Sequence, residues 1–173
     1  AFSSFSSAKK ELFDFLWRNS SEPEGRLMLA DAQSRMKDYD AAEKNYLIAL
    51  KMDSLLLQAR LNLATLYSMK GDNIKALRQL KIASAISPDN EQVNYFLALL
   101  YTEMNDLQMA ETYFKKLAAT SKQPKVFYNY GLLLEQLKQD KKPEAIYLQG
   151  LKSDNDNIDL NYVTALYYYN RNN

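Results

Sequence analysis

Acid–base and nucleophilic chemistry in this chain would have to come from carboxylates, lysines, serines and tyrosines, because it contains no histidine and no cysteine. Those two types supply the commonest general base, the thiolate nucleophile and the commonest metal ligand. Carboxylates do occur in pairs, such as Glu22 with Glu24 and Asp154 with Asp156. Both pairs fall in turn-like stretches without flanking apolar residues, so nothing raises one pKa above its neighbour, as an acid–base couple requires. Acidic residues in such places are solvated caps at helix starts. Gly25, Gly71, Gly131 and Gly150 are isolated from one another, so no glycine-rich loop exists to cradle a phosphate. The expectation is a chain without catalytic residues, metal or cofactor.

The elements that position these residues are legible from a repeat. Around the middle of the chain, Leu63, Ala64 and Tyr67 share one helical face and Gly71-Asp72 interrupts the pattern. A second amphipathic run then carries Ala76, Leu80 and Ala83 as far as Pro88. This reads as helix, tight turn, helix, with the two helices antiparallel because the connection is short. Small residues at Ala64, Ala76 and Ala83 let the backbones approach. The same types recur 34 residues earlier as Leu29, Ala30, Lys37-Asp38, Ala42, Tyr46 and Ala49, and 34 later as Leu97, Ala98, Tyr101, Asn105-Asp106, Ala110, Phe114 and Leu117. A fourth copy starts one residue early at Pro124, with Tyr130, Gly131, Leu134, Tyr147, Gly150 and Leu151 in phase. Pro143 stands in that copy where the others have alanine, which predicts a late start or looser packing for its second helix.

This pattern resembles the tetratricopeptide repeat family, a 34-residue helix-turn-helix unit with small residues at its eighth, twentieth and twenty-seventh positions. The resemblance implies an all-α, right-handed α-solenoid forming a single domain over 1–173. Its repeats would cover 23–56, 57–90, 91–123 and 124–157, with a leading helix at 8–18 and a terminal half-repeat helix at 158–170. Ser21 to Glu24 has the spacing of a capping box with proline in the first turn, Asn90 stands at the start of the third repeat, and Asp140 stands before Pro143 as a cap.

In stacked repeats of this family the inner helices line a concave face with their second, fifth, sixth, ninth and twelfth positions. Carried onto this sequence, the resemblance implies a peptide-binding groove formed by Leu61, Asn62, Tyr95, Leu99, Tyr128, Asn129, Leu132 and Tyr162. The asparagines would bond a peptide backbone and the apolar residues would supply affinity. Tyr67, Tyr101 and Phe114 fall instead on seam-facing positions. The family members that clamp a chaperone's terminal carboxylate use lysine and asparagine where this chain has Leu27 and Asp31, so that role is not expected.

Twenty-two basic residues balance 21 acidic ones, and the paired lysines are scattered, so the clustered basic footprint that nucleic acid needs is missing. No apolar run approaches the length of a membrane span. A protein or peptide is the partner that the resemblance implies. The last helix carries Ala165 and Tyr168 on a face with no following helix, and terminal repeats need a polar cover, so self-association through it is expected unless the native chain continues there. A narrower likeness runs from about Asn19 to Tyr169: the segments RNSSEPEGRLMLADA and SPDNEQVNYFLALLYTEM resemble the repeat module attached to some bacterial multihaem c-type cytochromes. That likeness implies a second role, a structural spacer or assembly arm of a larger protein. It favours the periplasm or cell envelope over the cytoplasm. The chain begins at Ala, as a mature or excised piece would, and holds no haem-attachment motif.

Overall fold

The structure is a computed structural model that describes residues 14, 17–19, 21–139 and 142–171. Among the described residues there are nine α-helices and no strand. In chain order they are α1 (Pro23–Arg35), α2 (Tyr39–Met52), α3 (Leu57–Met69), α4 (Asn73–Ile86), α5 (Glu91–Glu103), α6 (Leu107–Ala118), α7 (Pro124–Gln136), α8 (Lys142–Leu151) and α9 (Ile158–Arg171). Of the predicted leading helix at 8–18 only Asp14, Trp17 and Arg18 are described, each of them helical, and the Asp140 cap lies outside the described residues.

The turn inside each hairpin is the same device four times. Lys37, Gly71, Asn105 and Lys138 take left-handed backbone with φ of 64°, 76°, 59° and 52°. The residue after each donates its N–H five residues back: Asp38 to Gln33, Asp72 to Tyr67, Asp106 to Tyr101 and Gln139 to Leu134, at 2.8–3.1 Å. This Schellman geometry satisfies the carbonyls that a helix end leaves open. In the first three hairpins that residue is an aspartate whose carboxylate caps the next helix, accepting from the N–H of Ala41, Lys75 and Met109 respectively. Asn90 likewise caps α5, accepting from Val93 N–H at 3.0 Å. The capping box expected at Ser21 to Glu24 is not formed. Helix α1 is preceded by Glu22 and has no side-chain cap, and Pro23 in its first turn brings a preset φ and no N–H to satisfy.

Two compact units result, Ala1–Pro88 and Asp89–Asn173. In the first, α1 pairs with α2 and α3 with α4, and α2 also meets α3. Small residues sit at the crossings: Ala30, Ala42, Ala49, Ala76 and Ala83 are completely buried. In the second unit α5 pairs with α6 and α7 with α8, and α9 packs on both α7 and α8. Its core is aromatic, with Phe114 stacked on Tyr130 at 5.8 Å between ring centroids and Tyr147 edge-on to Tyr167 at 6.0 Å. Tyr67, Tyr101 and Phe114, the residues expected in the seams, are buried.

The fourth hairpin has its own packing solution. Pro143 is buried at the start of α8, Gly131 stands where the earlier repeats have Ala30, Ala64 and Ala98, and Gly150 where they have Ala49, Ala83 and Leu117. A Cβ added to Gly131 would fall 2.0 Å from Tyr147 Cε1, and one added to Gly150 would fall 2.6 Å from Phe127 Cβ. One edge of the tyrosine ring lies where a methyl group would stand, and its hydroxyl donates to Glu135.

Candidate functional site

The expected binding residues divide between the two units. Leu61 and Asn62, on α3, belong to the first. Tyr95 and Leu99 on α5, Tyr128, Asn129 and Leu132 on α7, and Tyr162 on α9 belong to the second.

In the first unit Leu61 is only 2 % exposed. It is core and presents no contact surface, which corrects its expected place in a groove. Asn62 is half-buried, and both ends of its amide are engaged. Its Nδ2 donates to Asp31 Oδ1 at 2.7 Å, and its Oδ1 accepts from Gln58 Nε2 at 2.7 Å. Asp31 Oδ1 also accepts from the Tyr46 hydroxyl at 2.6 Å. Burial, followed by this carboxylate, raises the Tyr46 pKa well above the ordinary phenol value. Asp31 thus joins α1 to both α2 and α3 through side chains.

The second unit brings more of the expected residues together. Tyr95 is half-buried, with its ring edge-on to Phe114 at 6.4 Å. Its hydroxyl accepts from Asn129 Nδ2 at 2.9 Å, and the Lys125 ammonium lies 4.8 Å from its ring centroid. Burial raises the Tyr95 pKa, and the bond from Asn129 opposes that rise. Asn129 Nδ2 also donates to the Lys125 carbonyl at 2.8 Å. The amide is therefore clamped, and its Oδ1 accepts no hydrogen bond from any described residue. Beside it Leu99 and Tyr128 are half-buried and Leu132 is 38 % exposed. Tyr128 also lines an open hollow of about 330 Å³ with Gln123, Pro124, Lys125, Asn157 and Asp159, at the N-terminal ends of α7 and α9. Tyr162, on α9, is 67 % exposed.

Lys125 was not singled out from the sequence, and Asp31 was named only as an acid that argues against a carboxylate clamp. Lys125 stands at a second position of its repeat, the only available signal for its place over Tyr95. Asp31 signals nothing beyond an acid on an inner helix, yet it bonds both Tyr46 and Asn62. No group of His, Cys, Asp or Glu among the described residues is arranged to hold a metal ion. No helix among them is long and apolar enough to cross a membrane.

The tetratricopeptide repeat model matches the chain over residues 23–54 and 91–123. Among solved structures, a thermophilic tetratricopeptide repeat protein of Thermus thermophilus is 21 % identical with a TM-score of 0.73, over 95 % of this chain and 91 % of that one. MamA of Desulfovibrio magneticus is 17 % identical with a TM-score of 0.74, over 87 % and 88 %. YrrB, described as a tetratricopeptide repeat protein with an unusual peptide-binding site, is 16 % identical with a TM-score of 0.70, over 92 % and 83 %. No curated protein matches the chain by sequence.

Proposed function

We propose that the chain, which matches the tetratricopeptide repeat model over residues 23–54 and 91–123, is a protein-interaction scaffold whose second unit binds an extended peptide or partner helix. The binding face is formed by Tyr95, Leu99, Tyr128, Asn129 and Leu132, with Tyr162 at its edge. The observation that carries this reading is the clamped Asn129. Its amide nitrogen is held by Tyr95 and by the Lys125 carbonyl, so its oxygen is a fixed acceptor without a donor among the described residues. Such an acceptor suits a peptide N–H, and the surrounding aromatic and aliphatic surface supplies affinity without demanding one sequence. That YrrB has a peptide-binding site makes the reading reasonable for a chain of this fold. Asn62, both ends of whose amide are engaged within the first unit, is left out of the face.

Titrating a panel of apolar and amphipathic peptides into isotope-labelled protein tests this. Amide shifts should concentrate on α5 and α7 around Leu99, Tyr128, Asn129 and Leu132. Tyr128→Ala should weaken the best binder by about 2 kcal/mol, as an aromatic anchor does, and Asn129→Ala by about 1 kcal/mol. Shifts confined to other surfaces, or full affinity in Tyr128→Ala, would overturn the assignment.

A further inference from the structure

Asp31 carries a charge that its place in the fold does not need. Its Oδ1 accepts from the Tyr46 hydroxyl at 2.6 Å and from Asn62 Nδ2 at 2.7 Å, which ties α1 to α2 and to α3. One neutral oxygen, such as an asparagine side chain offers, would serve both donors. The second oxygen, Oδ2, accepts from no described residue, and Asp31 takes part in none of the ion pairs among the described residues. The residue is half-buried, a setting in which an anion without a counter-charge is costly. The repeat does not ask for an acid here either, because Thr65, Leu99, Leu132 and Leu166 stand at the same place in the later copies. Arg35, one turn further along α1, is exposed and makes no ion pair with Asp31. It lies in the last turn of the helix, where the helix's own carbonyls favour a cation.

We infer that Asp31 anchors a subsite, on the face shared by α1 and α3, for the lysine or arginine side chain of a partner protein. The ligand's ammonium or guanidinium donates to Oδ2, a charge-assisted bond of the stronger kind. The carboxylate is oriented beforehand. Two donors hold its other oxygen, and Asn62 is itself held by Gln58 at 2.7 Å, so little order remains for the ligand to impose. The aliphatic stem of the ligand has a surface as well. Met28, three residues before Asp31 on the same face of α1, is 55 % exposed, and a thioether side chain adapts to an alkyl chain of no fixed shape. Glu24, exposed one turn before Met28, adds negative charge to this face and turns acidic ligands away.

The subsite lies in the first unit and stands or falls apart from the apolar face of the second. Its probe is the blocked peptide acetyl-Gly-Ala-Lys-Ala-Gly-amide, which offers that apolar face little to hold. Titrated into the isotope-labelled 173-residue chain, the peptide should shift amides of α1 and α3 around Met28, Asp31 and Asn62. The same peptide with norleucine for lysine should bind about tenfold more weakly, and raised salt should narrow that difference. Asp31→Asn keeps an acceptor oxygen for Tyr46 and Asn62, so it should melt as the wild type does and yet lose the preference for lysine. Met28→Lys serves should that variant fold poorly: its own ammonium, three residues from the carboxylate, should fill the subsite and bring the two peptides level. n-Butylammonium, which has the same stem and charge without a backbone, should bind more weakly than the lysine peptide, and equal or tighter binding would overturn the protein side chain as occupant. Equal affinity for the lysine and norleucine peptides, shifts confined to the second unit, or a salt-dependent loss of stability in Asp31→Asn, the mark of a base of the same chain already paired there, would each overturn the inference.

Discussion

Where a side chain takes the space of another atom, the cost of a change can be judged from distance. Gly131 is such a place, because a Cβ there would stand 2.0 Å from Tyr147 Cε1. Alanine is the better helix former by about 1 kcal/mol, but the ring is enclosed and its hydroxyl is held by Glu135. Overpacking should win, and Gly131→Ala should lower stability by about 1–3 kcal/mol in urea denaturation. An unchanged or raised midpoint would show that the ring moves freely. Asn62→Ala offers a contrast. It removes the bond to Asp31 and should cost about 1 kcal/mol while leaving peptide affinity unaltered. Much at this scale was legible: the seam aromatics Tyr67, Tyr101 and Phe114 were separable from Tyr162 by repeat position, and their burial follows that division. Partners were not legible. Asn62 bonds a residue 31 positions back and Asn129 one 34 back, and no local pattern announces a bond across a whole repeat. Leu61 misled because repeat position does not tell how closely neighbouring helices cover a residue.

At the scale of the element, the hairpin turns carry strain that their residue types reveal unequally. Gly71 is at ease with φ of 76°, whereas Lys37 and Lys138 hold the same left-handed region with a Cβ. Lys37→Gly and Lys138→Gly should each stabilise by up to about 1 kcal/mol, and Gly71→Ala should destabilise by about as much. A loss of stability in both lysine variants, measured by thermal melting, would contradict the turn geometry. The sequence showed where the turns lie, because Gly71-Asp72 and Asn105-Asp106 are common turn residues. At Lys37 and Lys138 only the repeat frame betrayed them, since lysine has no preference for that conformation.

For the whole molecule, the tyrosines set a response to alkali. Burial, and then the Glu43 acceptor, raises Tyr67 to about 12, and burial raises Tyr95, Tyr101 and Tyr130 as well. Unfolded tyrosine releases its proton near pH 10, so above that pH the native state holds protons that the unfolded state has lost. Stability is therefore complete below about pH 10 and falls as pH rises towards the folded values. Lys70, raised first by its bond to Asp40 and then by that to Glu43, contributes in the same direction. Urea midpoints should drop between about pH 10 and pH 12, and Tyr67→Phe should shallow that drop. A flat profile would contradict the assigned surroundings. Two of the bonds that reach from one hairpin to the next, Asn62 to Asp31 and Asn129 to Tyr95, bear on how the chain comes apart. In a row of repeats, each hairpin has its own stability and a separate coupling to its neighbour. These asparagines act on the coupling. Losing either one should let adjacent hairpins open one at a time, so that the unfolding transition of that unit becomes broader as well as earlier.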